Sequence, residues 1–226
     1  MNKFDFSKLK ILYEDNHILV VIKPINILSQ ADITKDPDML TILKEYIKDK
    51  YKKPGNVYLG LVHRLDRNTS GIMVFARTSK AASRLAEQIK NKDFKKSYLA
   101  IVHGKTKEKD NLTDYLIKKE TKSYITIKEL GKLAELSYDL LGYNKEEDLS
   151  LVKINLKTGR NHQIRLQFAS RNHPLYGDNK YGTDKNKNLG LYAYKLEFFH
   201  PTTKEKLVFK NYPTDNPFTK FKNDLK

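Results

Sequence analysis

A chain of 226 residues with 11% aromatic side chains can bury a sizeable core, as one large domain or two small ones. The 43 Lys and Arg against 27 Asp and Glu leave a formal charge of +16 and a pI near 9.6, which points to a polyanionic partner, although a lysine-rich surface from biased codon usage looks the same. With no cysteine, disulfides, thiol catalysis and thiolate metal sites are excluded; the charged N-terminus and the lack of any apolar run near the ~20 residues of a membrane span predict a cytoplasmic protein outside membranes.

In chain order, Ile11, Leu12 and Tyr13, the polar Glu14, Asp15 and Asn16, and the apolar run from Ile18 to Ile22 before Lys23 and Pro24 predict a hairpin. Asp36, Pro37 and Asp38 predict a helix start; Met39, Ile42, Leu43, Tyr46 and Ile47 recur at helical spacing, with Lys44, Lys48 and Lys50 on the exposed face. Residues 57–62 and 72–76 read as strands. Between them lies His63-Arg64-Leu65-Asp66-Arg67-Asn68-Thr69-Ser70-Gly71. Thr78 or Ser79 can cap a helix with Ala82, Leu85, Ala86 and Ile89 on one side. The basic Lys92, Lys95 and Lys96 precede a strand over residues 97–102, which stops at His103 and Gly104. Further strands are predicted at 123–127, 134–141, 149–156, 189–199 and 207–212, interrupted by one helix over about 160–170 whose buried pair is Ile164 and Phe168. Residues 144–148 and 182–188 read as exposed turns. The class is α+β with a mixed or antiparallel sheet, and without repeats or long linkers residues 1–226 are expected to form a single domain.

Three polar clusters carry candidate chemistry. Asp66 between Arg64 and Arg67 can face a cleft, or can sit in a tight turn with a surface ion network, since Asn68, Thr69, Ser70 and Gly71 are ordinary turn formers. The segment from Lys157 through Thr158, Gly159, Arg160, Asn161, His162, Gln163 and Arg165 can be a solvated helix start or an amide-and-arginine site for phosphate or carboxylate. The third, His173-Pro174-Leu175-Tyr176-Gly177-Asp178 through Tyr181-Gly182, has the turn chemistry of a shaped loop. His17, His63, His103, His162, His173 and His200 include no pair four apart, so no metal is expected. Ser70 lacks the G-x-S-x-G context, and Gly104-Lys105 has Leu99 where a phosphate loop needs glycine.

Taken together, these segments resemble the RluA family of RNA pseudouridine synthases. His-Arg-Leu-Asp with Thr-Ser-Gly comes first, then the strand with Tyr98, then Thr-Gly-Arg-Asn-His-Gln-Ile-Arg, then His-Pro-Leu-Tyr-Gly-Asp, and last Leu191, Ala193, Leu196, Phe198, His200 and Pro201. The matching segments keep the family order over roughly residues 11–213. The resemblance implies a pseudouridine synthase fold, a central mixed, mainly antiparallel sheet flanked by helices and loops. It implies isomerisation of uridine in structured RNA, ribosomal or transfer, without cofactor or metal. The C1′–N1 bond breaks, the base turns, and C5 joins C1′.

The resemblance also implies roles. Asp66 is the catalytic aspartate, either attacking C1′ or helping remove a ribose proton. Arg165 is its partner, favouring the charged carboxylate. Tyr98 stacks on the flipped uracil, and its hydroxyl is a candidate for taking the C5 proton. Arg64 enters the space left by the base, a role suited to a planar, always charged group. His63, Arg67, Lys96, Arg160 and His162 are further RNA-binding candidates, with Lys92, Lys95 and Lys157 beside them. One departure is the loop after Pro24, where Ile25, Asn26, Ile27, Leu28, Ser29 and Gln30 replace the family's Lys-Pro-Ala-Gly-like turn. Only about ten residues precede the first strand, so a bare catalytic domain without an S4-type domain is expected, working as a monomer. A non-catalytic RNA-binding module and a glycosidase are the alternatives. The first fits poorly with an intact Asp66, Tyr98 and Arg165 set; the second needs two carboxylates at the bond, and Asp178, the other acid in the motifs, reads as structural.

Overall fold

The computed structural model describes residues 5–184 and 187–225, so the predicted turn over 182–188 lies partly outside the described residues, at Lys185 and Asn186. The chain divides into two compact units, Met1–Phe94 with Lys195–Asn211, and Lys95–Tyr194 with Tyr212–Lys226.

The first unit opens with the predicted hairpin, β1 (Lys10–Glu14) and β2 (Ile18–Lys23), paired antiparallel. Its turn is set by Asp15, whose Oδ1 accepts the His17 and Ile18 N–H groups, each at 2.7 Å. Helix α1 (Met39–Lys50) starts at Asp38, whose side chain accepts the Thr41 N–H at 3.0 Å. A two-residue strand β3 (Gly60–Leu61) and the long β4 (Ser70–Ala76) follow, then α2 (Ser79–Lys90), capped by the Thr78 hydroxyl on the Ala81 N–H. In the β2–β4 register, Val20 lies opposite Val74 and Ile22 opposite Ile72, with Leu19, Val21, Phe75 and Met73 on the other face. Both strands are buried on both faces, which is why each reads as an unbroken apolar run. One face packs with Ala81, Leu85, Phe94, Leu196 and Phe198.

In the second unit the strands β5 (Lys95–His103), β6 (Lys109–Lys119), β7 (Lys122–Thr126), β8 (Lys132–Asn144) and β9 (Leu149–Leu156) form an antiparallel array ordered β5-β9-β8-β6-β7. Helix α3 (Gln163–Ala169) follows β9. The strand β10 (Leu191–Phe199) gives its first residues to this unit and its last to the first unit, where it pairs with β11 (Lys206–Lys210). Leu99, Ile101, Leu149, Leu151, Tyr192, Tyr194, Phe218 and Phe221 form the core here.

The α+β class with mainly antiparallel pairing is borne out. Two predicted elements differ. Residues 57–62 yield only the two-residue β3, and α3 begins at Gln163, three residues later than expected. The strand β6 was absent from the sequence expectations altogether. Among the described residues, no helix is long and apolar enough to cross a membrane.

Candidate active site

The ladder between β3 and β4 ends at Leu61 because the Val74 N–H goes instead to a side chain, His63 Nε2, at 3.1 Å. Beyond that point the backbone is fixed by buried groups rather than by strand pairing. Ser29 brackets Leu65, its hydroxyl donating to the Leu65 carbonyl at 2.7 Å and accepting the Leu65 N–H at 3.1 Å. Lys23 Nζ donates to the carbonyls of Pro24, Ile27 and Arg67 at 2.9, 2.7 and 3.0 Å. The Arg67 carbonyl also accepts the Asn26 N–H, and the Thr69 N–H closes a turn onto the Asp66 carbonyl at 3.0 Å. His63 and Leu65 are thereby buried, Arg64 and Arg67 exposed and Asp66 half-buried. Gly71, at φ 125, follows where an L side chain would be strained.

The Lys23 side chain is fully buried, and desolvation pushes its ammonium down to about 7, with the Asp66 charge opposing and the Arg67 charge adding to that shift. Its three N–H donors match the three carbonyls around it. Arg67 spends its guanidinium on Asp36, Nη1 to Oδ2 at 2.6 Å, an exposed pair. His63 packs its ring on Phe94 at 5.3 Å between centroids, and Phe94 stacks on Phe198. His63 was expected among the RNA-facing residues; it is 8% exposed.

In the second unit, Tyr98 is a buried residue of β5 opposite Ile154. Lys96, two residues earlier, lies opposite Leu156, and burial lowers its ammonium from the ordinary lysine value. Its Nζ lies so near Gly159 that a Cβ there would meet it at 3.1 Å. Arg165, on the first turn of α3, is 5% exposed and makes a two-pronged ion pair with Asp178, Nε to Oδ2 at 2.7 Å and Nη2 to Oδ1 at 2.6 Å. Asp178 Oδ1 also accepts the N–H groups of Lys180 and Tyr181 at 2.9 and 3.0 Å. Although burial opposes it, these partners, Arg165 foremost, hold the Asp178 carboxyl below the usual carboxylate range. Gly177 turns the chain at φ +73, its backbone pressed against the Asn188 carbonyl where no Cβ fits.

The Arg165 guanidinium carbon also lies 5.4 Å from the centre of the Tyr181 ring. The Tyr181 hydroxyl accepts the Ser123 N–H at 2.8 Å and shares a second hydrogen bond with His162 Nδ1 at 2.9 Å. His162 caps α3 in the left-handed conformation, φ 52, and makes no side-chain cap bond to the helix. Arg160 is exposed, with Nε on the Leu133 carbonyl at 2.8 Å.

Asp66, Arg64, His63 and Arg67 thus share the loop of the first unit, and Tyr98, Lys96, Arg160, His162 and Arg165 lie in the second. Sequence reasoning missed Lys23 and Ser29 as supports of the loop, and the Lys-Pro pair at the end of β2 was the available signal. It also left the polar start of α3 open. Gln163 and Gln167, 3% and 0% exposed, turn out to be a buried network. Gln163 Oε1 accepts the Thr158 hydroxyl and the Arg160 N–H, its Nε2 donates to Gln167 Oε1, and Gln167 Nε2 donates to Asp114 Oδ2.

The family model described as RNA pseudouridylate synthase matches residues 17–170. The chain belongs to the RluA-like RNA pseudouridine synthases. An uncharacterised RNA pseudouridine synthase of Bacillus subtilis is 35% identical over 210 residues, covering 90% of this synthase and 68% of the relative. The ribosomal large subunit pseudouridine synthase C of a Buchnera aphidicola strain is 31% identical over 230 residues, covering 96% and 70%. Among solved structures, human RNA pseudouridylate synthase domain containing 4 superposes with a TM-score of 0.76 at 20% identity, over 91% of this synthase and 89% of that chain. That likeness bears on the fold. The enzyme is an RNA pseudouridine synthase, an isomerase acting on RNA.

Proposed function

We propose that this synthase flips a specific uridine out of structured RNA and isomerises it with Asp66 as the catalytic carboxylate, residues 1–226 working as a single, cytoplasmic, monomeric catalytic domain. The observation that carries this reading is the build of the Asp66 loop. Buried groups on either side, Ser29 on Leu65 and Lys23 on the Arg67 carbonyl, fix the backbone, while Arg64 is exposed and Asp66 half-buried. A loop held this rigidly around an acid suits a group that must meet a substrate in one geometry. In the proposed reaction Asp66 is the anion that cleavage of the C1′–N1 bond needs, the uracil turns without leaving, C5 bonds to C1′, and the C5 proton departs. Tyr98 stacks on the flipped base, and Arg165 supports the carboxylate. Arg64 fills the gap in the RNA and offsets the few kcal/mol that unstacking costs.

Lys96, Arg160 and Arg67 contribute phosphate contacts. A phosphate beside the partly buried Lys96 ammonium would offset the desolvation that burial imposes on it. His63 and His162 position their neighbours, one through Val74 and the other through Tyr181. Relatives named as large ribosomal subunit synthases support ribosomal RNA as the target. The test is tritium release from RNA labelled at uridine C5, taken from cells lacking the gene. Wild type should release the label. Asp66→Asn should cut the release by about a thousandfold or more while keeping RNA affinity and unfolding temperature, and normal release by that variant would overturn the role of Asp66.

A further inference from the structure

The sheet of the second unit ends on β7, which pairs with β6 and, among the described residues, with no other strand. The registers place Tyr115 opposite both Thr126 and Leu133, Ile117 opposite Tyr124, and Lys119 opposite Lys122. Residues directly opposite share a face. The inner face holds Leu112, Leu116, Ser123, Ala134 and Leu136, all buried. The outer face is unusual for a soluble sheet, because it carries two tyrosines and two aliphatic side chains, with Tyr124 47% and Leu133 36% exposed.

Cations frame this face at both ends. Lys119 and Lys122 lie at the β6–β7 turn, and at the β8 border Lys157 donates its N–H to the Glu135 carbonyl and Arg160 its Nε to the Leu133 carbonyl. The acids here are Glu135 and Asp139 on the same face of β8, and Glu120 in the β6–β7 turn. Flat π-faces between lysines and an arginine are what unpaired nucleic acid uses, stacking bases on the rings and placing phosphates on the cations. The edge is also wired to the candidate site. Ser123 of β7 gives its N–H to the Tyr181 hydroxyl and its hydroxyl to the Asn161 carbonyl at 2.8 Å each, so a strand gripped on β7 bears on the segment that holds His162 and Arg165.

We propose that the outer face of β6, β7 and β8 is an auxiliary RNA-docking surface that takes an unpaired stretch of the substrate RNA. Tyr124 and Tyr115 are its stacking platforms and Lys119 and Lys122 its phosphate contacts. The proposal rests on the RNA-modifying function above and adds where substrate selection is made.

The test uses a fluorescent 15-nucleotide oligouridylate and the same oligomer carrying 4-thiouridine. In wild type, cross-links should fall on the segment from Tyr115 to Tyr124. Tyr124→Ala with Lys122→Ala should weaken binding about tenfold or more, with the unfolding temperature unchanged because both side chains are exposed. Unchanged affinity together with cross-links confined to other segments would overturn the proposal. So would concentration-dependent dimers that Tyr124→Glu disperses without loss of oligouridylate affinity, since the face would then be a self-association edge. Tritium release from bulk RNA is scored separately: its absence in wild type counts against the proposed reaction, and the cross-links still decide the face.

Discussion

Lys23 shows how one side chain can organise a loop that it does not belong to. A buried ammonium satisfies three carbonyls that would otherwise face the core unpaired, and the last of these belongs to Arg67, next to Asp66. Lys23→Met keeps the aliphatic stem and removes the donors, so it should cost about 2–4 kcal/mol of stability in urea unfolding and lower tritium release even though Lys23 is buried. The pH dependence has a definite sign. The ammonium is depressed from 10.5 to about 7, so the unfolded chain binds the extra proton across that window and stability rises with pH within it. This contribution is fully present above 10.5 and lost as pH falls through about 7. The stability gap between wild type and Lys23→Met should therefore widen from about pH 7 to 10, and a gap that narrows would contradict the assignment.

At the scale of the element, α3 is short and held by its polar side chains more than by its apolar ones. Ile164 and Phe168 are buried as the sequence spacing predicts, but Arg165 and the two glutamines are buried beside them. The Arg165–Asp178 pair ties the helix to the loop that follows Gly177. Breaking it leaves a guanidinium buried without its counter-charge, so Asp178→Asn should destabilise the protein by about 3–5 kcal/mol. Because the Asp178 carboxyl is depressed below 3.8, its contribution is present above that pH and lost as pH falls through its folded value. Acid unfolding of wild type should accordingly be steeper below about pH 4 than that of the variant. Equal steepness would show that the pair does not drive the acid transition.

At the scale of the whole molecule, the charge of +16 is spread over both units and no single motif accounts for it. It should appear as a strong salt dependence of RNA binding, with log K falling linearly in log salt by about 0.7 for each phosphate neutralised on a single strand. Lys96→Met should reduce that slope by roughly one phosphate contact and weaken binding to all RNA sequences alike, as measured by anisotropy titrations at several salt concentrations. A slope identical to wild type would remove Lys96 from the contact set.

Much of this was legible because local chemistry and tertiary context agree. The first hairpin, α1 and α2 announce themselves by apolar period and by caps, Asp38 and Thr78, that need no partner from elsewhere in the chain. The order of motifs alone gave the family. The strand β6 was not legible because Leu112 and Leu116 are its only buried residues, a spacing that suits helix or strand equally, and pairing with β7 and β8 decides between them. The bounds of β3 were out of reach for a related reason. Residues 57–62 look like a strand, but His63 takes the N–H that would have extended the ladder.

The sequence by itself therefore determined the class, the family, and which acid and arginines to test, since these rest on residue identity and order. Tertiary structure alone decided what holds them. It buried Lys23 and Ser29 against the Asp66 loop, gave Arg165 the Asp178 carboxylate, and turned the polar start of α3 into a closed network. Those outcomes depend on which backbone groups are left without partners once the strands have paired, and that is fixed only when the chain has folded.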